Sequence, residues 1–186
     1  MIKNSLNFFV WSPDYTDQYG GIIVLHKLAE ELARLGEKSF IISNKTSPNS
    51  KAELISDINA KQYAQLANSY IVYPEVVSGN PLGFRNVIRF VLYKPGVNGG
   101  DKIYNQSELV YHHTKHCVFG TPYENTPALH CIEPKLDKFF DLGKARSDTC
   151  TLIKKGRNKN IYKAPNVIDS YLGVHNVDSI LQNIFN

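Results

Sequence analysis

Two adjacent glycines, Gly20 and Gly21, stand between the apolar segment NFFVW (7–11) and a long amphipathic run. Free backbone N–H groups at a helix start favour anions, and glycine lets a phosphate or a sugar approach the backbone closely. The pair does not belong to a GxGxxG fingerprint, and no GK[ST] sequence follows it. Two interpretations stay open: contact with an anionic ligand, or a tight turn that needs glycine for a positive φ.

Three side chains are candidate acids or bases. Glu75 lies near the carboxyl end of the predicted strand 69–77, where a carboxylate can meet a sugar hydroxyl or take a proton. His112 and His113 are adjacent, so on a strand they point to opposite faces and do not chelate one metal together. The alternatives are a surface carboxylate before a Gly-Asn-Pro turn, and hydrogen-bonded structural histidines.

A basic cluster, KKGRNKNIYK (154–163), follows a short apolar segment near the end of the sequence. Arg157 after Gly156 suits a phosphate group, and Lys155 and Lys159 add charge. A solvated basic turn is the alternative. Nucleic acid is not expected as a partner, because the cluster is short and lacks interleaved aromatic residues.

Strand-like and helix-like segments alternate along the chain. Strands are predicted at 7–11, 38–43 and 69–77, a helix from the glycine pair to Gly36, and weaker helical character at 52–67. Short β-type segments follow at 108–114, 116–120 and 128–134, then a strand with a basic turn at 149–160 and a helix at 176–185. This order predicts an α/β fold: a Rossmann-like, doubly wound, mainly parallel sheet with helices on both faces.

Residues 84–96 are also predicted to be helical, up to Pro95 and Gly96. This helix would combine basic and aromatic side chains: Arg85, Arg89, Lys94, Phe84, Phe90 and Tyr93. Such a helix can lie on an anionic membrane, which makes peripheral membrane contact one expectation. A packed surface helix with extended basic side chains is the alternative.

The overall composition is that of a globular protein of 186 residues with a formal charge of +4. Cys117, Cys131 and Cys150 are widely spaced, so neither a zinc site nor a disulfide framework is expected, and no metal is predicted. The first residues do not resemble a signal peptide, and no apolar run is long enough to span a bilayer. The expected location is cytoplasmic.

The segment YGGIIVLHKLAEELARLGEKSFII resembles the first β-α-β unit of GT-B glycosyltransferases, in which a glycine pair opens the first helix. IVYPEVVSGNPLGFRNVIRFVLYKPG is similar to bacterial and viral sugar transferases that act on surface polysaccharides. CTLIKKGRNKN resembles the start of their second domain. The resemblance implies transfer of a sugar from a nucleotide-sugar to a glycan acceptor, in a cleft between two domains and without a further cofactor.

The resemblance also implies roles for individual residues. Gly20, Gly21, Arg157, Lys155 and Lys159 would bind the donor phosphates and sugar, and Glu75, His112 and His113 would be the catalytic candidates. The acceptor side would comprise Asp14, Tyr15, Gly79, Asn80 and Arg85.

The resemblance divides the chain into an acceptor-side domain at 1–146 and the start of a nucleotide-sugar-binding domain at 147–186. The rest of that domain is expected from a longer chain or from a second subunit, unless the protein is a shortened relative. Two other functions remain open. One is a non-catalytic module that binds a glycan or a protein partner. The other, a nicotinamide-dependent Rossmann enzyme, is disfavoured because GxGxxG is absent.

Overall fold

A six-stranded, all-parallel sheet forms the centre of the fold, in a computed structural model that describes residues 5–48 and 50–131, and the backbone of 152–154 and 167–169. Its strands are β1 (Asn7–Trp11), β2 (Lys38–Ile42), β3 (Glu53–Ile55), β4 (Ser69–Pro74), β5 (Asn86–Val91) and β6 (Leu109–His112). They are ordered β3-β2-β1-β4-β5-β6. This is the strand order of a Rossmann-like α/β fold, so the predicted fold class is confirmed.

One face of the sheet is covered by helix α1 (Gly20–Arg34). Side chains repeating every three or four residues of α1 pack on Val10, Ile41 and Val72 of the sheet. Partly exposed pairs such as Lys27 with Glu30 lie on its opposite side. The predicted first helix and its apolar stripe are therefore confirmed.

The other face is covered by a short helix, α2 (Asp57–Lys61), and by the turns that follow it. The alternate strand residues Phe9, Ile42 and Ile71 pack there. Neighbouring strand residues thus enter opposite cores, which explains why these strands are apolar at nearly every position. Within 52–67, α2 is the observed helix, and residues 53–55 form β3 instead.

The helix predicted at 84–96 is wrong, because residues 86–91 form the strand β5 between β4 and β6. The apolar residues of NVIRFV fit a helix face and a buried strand equally well, and periodicity cannot separate the two. The helical prediction also made Arg89 a surface residue, whereas its side chain is fully buried. The basic-aromatic membrane helix inferred from this segment therefore does not form.

The segment 116–120 was predicted as a β-type segment, but Lys115–Val118 form a single helical turn, α3. The Cys117 side chain holds this turn in place. Its thiol donates to the Leu92 carbonyl at 3.0 Å and contacts the Thr114 hydroxyl at 3.2 Å. Of 128–134, Ala128 forms a single bridge to His112. The predicted helix at 176–185 lies outside the described residues.

The chain divides into two compact units. The first contains α1–α3 and β1–β6. The second contains β7 (Leu152–Lys154) and β8 (Val167–Asp169), which pair in parallel. The strand predicted to begin near residue 149 corresponds to β7.

Candidate functional site

The strand order reverses between β1 and β4, which are neighbours at the middle of the sheet. In open α/β sheets, ligands bind outside the carboxyl ends of the strands at this switch point. Here that position is bounded by the residue after β4, Glu75, by the residue after β5, Leu92, and by the start of α1. We call Gly20, Gly21, Glu75 and Leu92 the switch-point site.

The two glycines form the first residues of α1 and have no positive φ, so the tight-turn explanation does not account for them. A Cβ on Gly20 would have no protein atom within 4 Å, and one on Gly21 would lie 3.6 Å from Leu92 Cδ1. The first turn of α1 carries no acidic side chain. The helix start is therefore open to solvent and carries no carboxylate in its own first turn, which suits an anion site.

Glu75 is buried, with only 4% of its surface exposed. Its Oε2 accepts a hydrogen bond from the Leu92 backbone N–H at 2.9 Å, which joins the ends of β4 and β5. Burial raises the pKa of this carboxyl, while the backbone hydrogen bond from Leu92 opposes the shift. A buried carboxyl with a raised pKa holds a proton more readily than an exposed one, which suits a group that takes up a proton.

In the loop after β1, residues 13–15 are hydrogen-bonded to α1 and to the segment 43–45. His26 Nε2 donates to the Pro13 carbonyl at 3.2 Å, and Asp14 accepts from Asn44 N at 2.8 Å and from Ser43 Oγ at 3.0 Å. The Tyr15 N–H donates to the Lys45 carbonyl, and its ring meets the His26 ring edge-on at 5.2 Å. The hydrogen bond from Asn44 lowers the pKa of Asp14. These contacts fix the loop's path on the carboxyl edge of the sheet.

The loop after β4 is organised by Arg89, whose partner in register on β4 is Tyr73. The guanidinium binds Glu108, with Nε 2.5 Å from Oε2, and donates to the carbonyls of Val77 and Gly79. It also lies over the rings of Tyr73 and Tyr104, 5.3 and 5.1 Å from their centroids. The buried charge is thus surrounded by hydrogen-bond acceptors and aromatic faces.

The three acceptor-side candidates in this region separate in the structure. Gly79 donates its N–H to Asp101 at 2.6 Å. The Asn80 side chain is hydrogen-bonded to the backbone of Phe84. It accepts from the Phe84 N–H at 3.1 Å and donates to the Phe84 carbonyl at 2.7 Å. Arg85 is exposed and directly precedes β5, at the opposite edge of the sheet from Glu75. Gly79 and Asn80 thus lie in the middle of the connection from β4 to β5, and Arg85 is its last residue.

The two candidate histidines have different surroundings at the end of β6. His112 is buried and its Nδ1 donates to the Thr126 hydroxyl at 3.1 Å, since that hydroxyl itself donates to the Tyr123 carbonyl. Burial, followed by the nearby His130, lowers the pKa of His112. The His113 ring meets Phe90 edge-on at 6.2 Å and His130 at 5.8 Å. Within 5–48 and 50–131, neither histidine is hydrogen-bonded to Glu75.

Lys155, Arg157 and Lys159 lie outside the described residues. Among the residues that are described, no group of three or more His, Cys, Asp or Glu side chains is arranged to bind a metal ion. In the same part of the chain, no helix has the length and apolar character needed to cross a bilayer.

A surface pocket of about 420 Å³ lies at the amino ends of β2 and β3, lined by Ala33, Glu37, Lys38, Ser39, Phe40, Lys51, Glu53 and Tyr63. This concavity and the switch-point site are at opposite edges of the sheet. We place the candidate site at the switch point because parallel sheets direct loops and helix starts, with their free N–H groups, to the carboxyl edge.

Comparison of the chain with protein-family models, with curated proteins and with solved structures found no match. The fold and the geometry of the site therefore carry the functional argument.

Sequence reasoning missed two buried polar residues, His26 and Arg89. His26 follows Leu25 within the apolar stripe of α1, so a polar residue at a buried helical position was the available signal. Arg89 lies within the apolar run of β5, and only the assignment of that run as a strand would have shown it to be buried.

His26 is expected to make the protein's stability depend on pH. Burial lowers its pKa below the ordinary 6.5, and Nδ1 is buried without a hydrogen-bond partner. The folded protein therefore favours the neutral ring, and stability is lost as pH falls below 6.5 toward the folded pKa, because the unfolded chain binds more protons.

Urea unfolding at pH 7.5 and 5.5 tests this expectation. The loss of stability between the two pH values should be smaller in His26→Gln than in wild type. His112 contributes with the same sign, so His26→Gln/His112→Gln should show the smallest loss. An equal loss in wild type and the double variant would contradict the assignment.

Proposed function

We propose that this chain is the acceptor-side part of a GT-B-type glycosyltransferase, which transfers a sugar from a nucleotide-sugar to a glycan acceptor. The observation that carries the proposal is the meeting, at one switch point, of an unobstructed helix start and a buried carboxylate. Gly20 and Gly21 open α1, and Leu92 lies between them and Glu75: its N–H binds Glu75, and its Cδ1 would lie 3.6 Å from a Cβ on Gly21.

The start of α1 would bind the phosphates of the nucleotide-sugar donor. When the bond between the anomeric carbon and the diphosphate breaks, negative charge develops on the leaving phosphate. Backbone N–H groups at the start of α1 stabilise such charge, and the missing side chains at Gly20 and Gly21 let the phosphate reach them. The assignment of Lys155, Arg157 and Lys159 to the donor phosphates stays a prediction from the sequence, because these residues lie outside the described residues.

Glu75 would take the proton from the acceptor hydroxyl. Transfer forms a bond between the anomeric carbon and an acceptor oxygen, whose proton must be removed. A buried carboxyl with a raised pKa is a suitable proton acceptor or relay. Asp14 and Tyr15 hold the neighbouring loop in place by their contacts to residues 43–45.

The direct test is to incubate the chain with nucleotide-sugars and measure nucleoside diphosphate release with and without glycan acceptors. Release that increases with acceptor supports the proposal. Glu75→Gln, which keeps an oxygen for the Leu92 N–H, should lower the rate by roughly 10²–10⁴-fold. Absence of both release and nucleotide binding at millimolar concentration would overturn the proposal. Glycan binding without release would favour the binding-module alternative.

Gly20→Val separates ligand approach from stability. A Cβ at this exposed position would have no atom from other parts of the fold within 4 Å, so the free energy of unfolding should change by less than about 1 kcal/mol. Because the side chain would fill the space through which a phosphate approaches, nucleotide-sugar affinity should fall at least about tenfold.

A matched control for Gly20→Val is Gly36→Val, which adds the same side chain just beyond the other end of α1. This variant should lose stability, because Gly36 has a φ of +85°, and keep its affinity. Both affinities are measurable by calorimetry. Equal affinity in Gly20→Val and wild type would exclude ligand contact at the helix start.

A further inference from the structure

The loops beyond β4, β5 and β6 expose several large apolar side chains. Five of the eleven exposed large apolar side chains of the described residues lie at this corner, which we call the apolar corner: Val76, Tyr93, Val97, Ile103 and Phe119. These residues lie outside the switch-point site, and they are not part of either core that flanks the sheet.

Contacts between loops hold the apolar corner together. Gly96 packs against the side chain of Lys102, and Gly100 packs against the backbone of Glu75 and Val76. The α3 turn that precedes Phe119 is held by the hydrogen bond from Cys117 Sγ to the Leu92 carbonyl. The Tyr104 N–H donates to Tyr123 Oη at 2.6 Å, and the two rings stack at 4.8 Å. The exposed apolar residues therefore project from loops that support one another.

Three lysines, Lys94, Lys102 and Lys115, are exposed in the same segments. Within the described residues none of them forms a salt bridge. The acidic groups nearby are engaged elsewhere: Asp101 accepts from Gly79 N, and Glu108 binds Arg89. Glu124 Oε2 accepts from Gly120 N at 3.4 Å. Asp101 and Glu124 stay charged while they accept these backbone N–H groups, so the three lysines leave the apolar corner with a small excess of positive charge.

Exposed aromatic and aliphatic side chains among unpaired lysines match the chemistry of a bilayer with anionic headgroups. Apolar tips enter the acyl boundary, and lysines remain at the headgroups. We propose that the apolar corner is a docking surface for an anionic lipid bilayer. The surface requires no membrane-spanning segment, and it is formed by loops rather than by a helix. It does not depend on sugar-transferase activity.

Vesicle sedimentation with the full chain tests the proposal. Phosphatidylcholine vesicles with about 30% phosphatidylglycerol should bind the protein, and pure phosphatidylcholine vesicles should bind it far less. Lys94→Gln/Lys102→Gln should lower the partition coefficient about 25-fold, since each lysine near an anionic surface accounts for about fivefold. The control Lys51→Gln/Lys61→Gln removes two exposed lysines elsewhere and should bind like wild type.

The apolar contribution is tested separately. Ile103→Ser should weaken vesicle binding about tenfold. Leu35→Ser is its matched control, because Leu35 and Ile103 are 63% and 65% exposed, and it should have no effect. Failure of wild type to bind anionic vesicles would overturn the proposal, and that is the result expected if a protein partner covers the corner. Equal binding by the corner variants and their controls would also overturn it.

Discussion

Replacing Arg89 with methionine is expected to lower the free energy of unfolding by roughly 3–5 kcal/mol. The change removes the cation that pairs with Glu108, and that carboxylate is itself almost buried. It also removes the donors to the carbonyls of Val77 and Gly79. Methionine is apolar and of similar length, so the loss reflects charge and hydrogen bonds rather than a cavity. Urea unfolding followed by the fluorescence of the single tryptophan, Trp11, measures it.

The control is Arg85→Met. Arg85 is exposed at the amino end of the same strand, and its loss should change stability by no more than about 0.5 kcal/mol. Arg89→Met/Glu108→Leu should recover part of the loss, because no uncompensated charge remains buried. If Arg89→Met is as stable as Arg85→Met, the buried ion pair does not stabilise the loop after β4.

Gly100→Ala is the second substitution with a large expected effect, about 2–4 kcal/mol of destabilisation. Gly100 has a φ of +70°, and a Cβ there would lie 1.9 Å from the Glu75 carbonyl oxygen. That atom belongs to the backbone at the end of β4, so it cannot rotate away as a flexible side chain would. The substitution must move either the loop after β5 or Glu75, and chemical denaturation measures the cost.

Gly99→Ala measures the cost of a positive φ without the steric clash. Gly99 also has a positive φ, +97°, but its Cβ would come no closer than 3.9 Å to the Val76 carbonyl oxygen. It should therefore lose only the roughly 1–2 kcal/mol due to the left-handed backbone. Equal losses in the two variants would show that the loop after β5 does not pack on Glu75 as described.

The sequence predicted the half of the fold in which periodicity is unambiguous. β1, α1 and β2 follow their patterns closely, because an apolar stripe and a polar face exist in α1 and each strand is bounded by turn residues. β5 was misassigned because a strand buried on both faces has no alternation to detect. Its arginine is buried by partners that come from other segments, Glu108 and Tyr73, and no local pattern contains them.

The candidate site was predicted in part. Gly20, Gly21 and Glu75 were proposed from their positions relative to strand ends. In the structure the Leu92 N–H binds Glu75, and a Cβ on Gly21 would lie 3.6 Å from Leu92 Cδ1. The structural role of Asn80 was not predicted, because its partner Phe84 was assigned to a helix. The buried position of His26 was not predicted either. Its hydrogen bond to the Pro13 carbonyl forms only because the loop after β1 packs against α1.

The central claim is that a nucleotide-sugar binds at the switch-point site, and chemical-shift mapping tests it most directly. The ¹⁵N-labelled full chain would be titrated with nucleotide-sugars while backbone amide shifts are recorded. If the nucleotide-sugar binds there, the largest shifts fall on Gly20, Gly21 and Leu92. Shifts concentrated on Lys38, Lys51 and Tyr63, at the pocket on the opposite edge of the sheet, would contradict it, as would the absence of any shift at millimolar ligand.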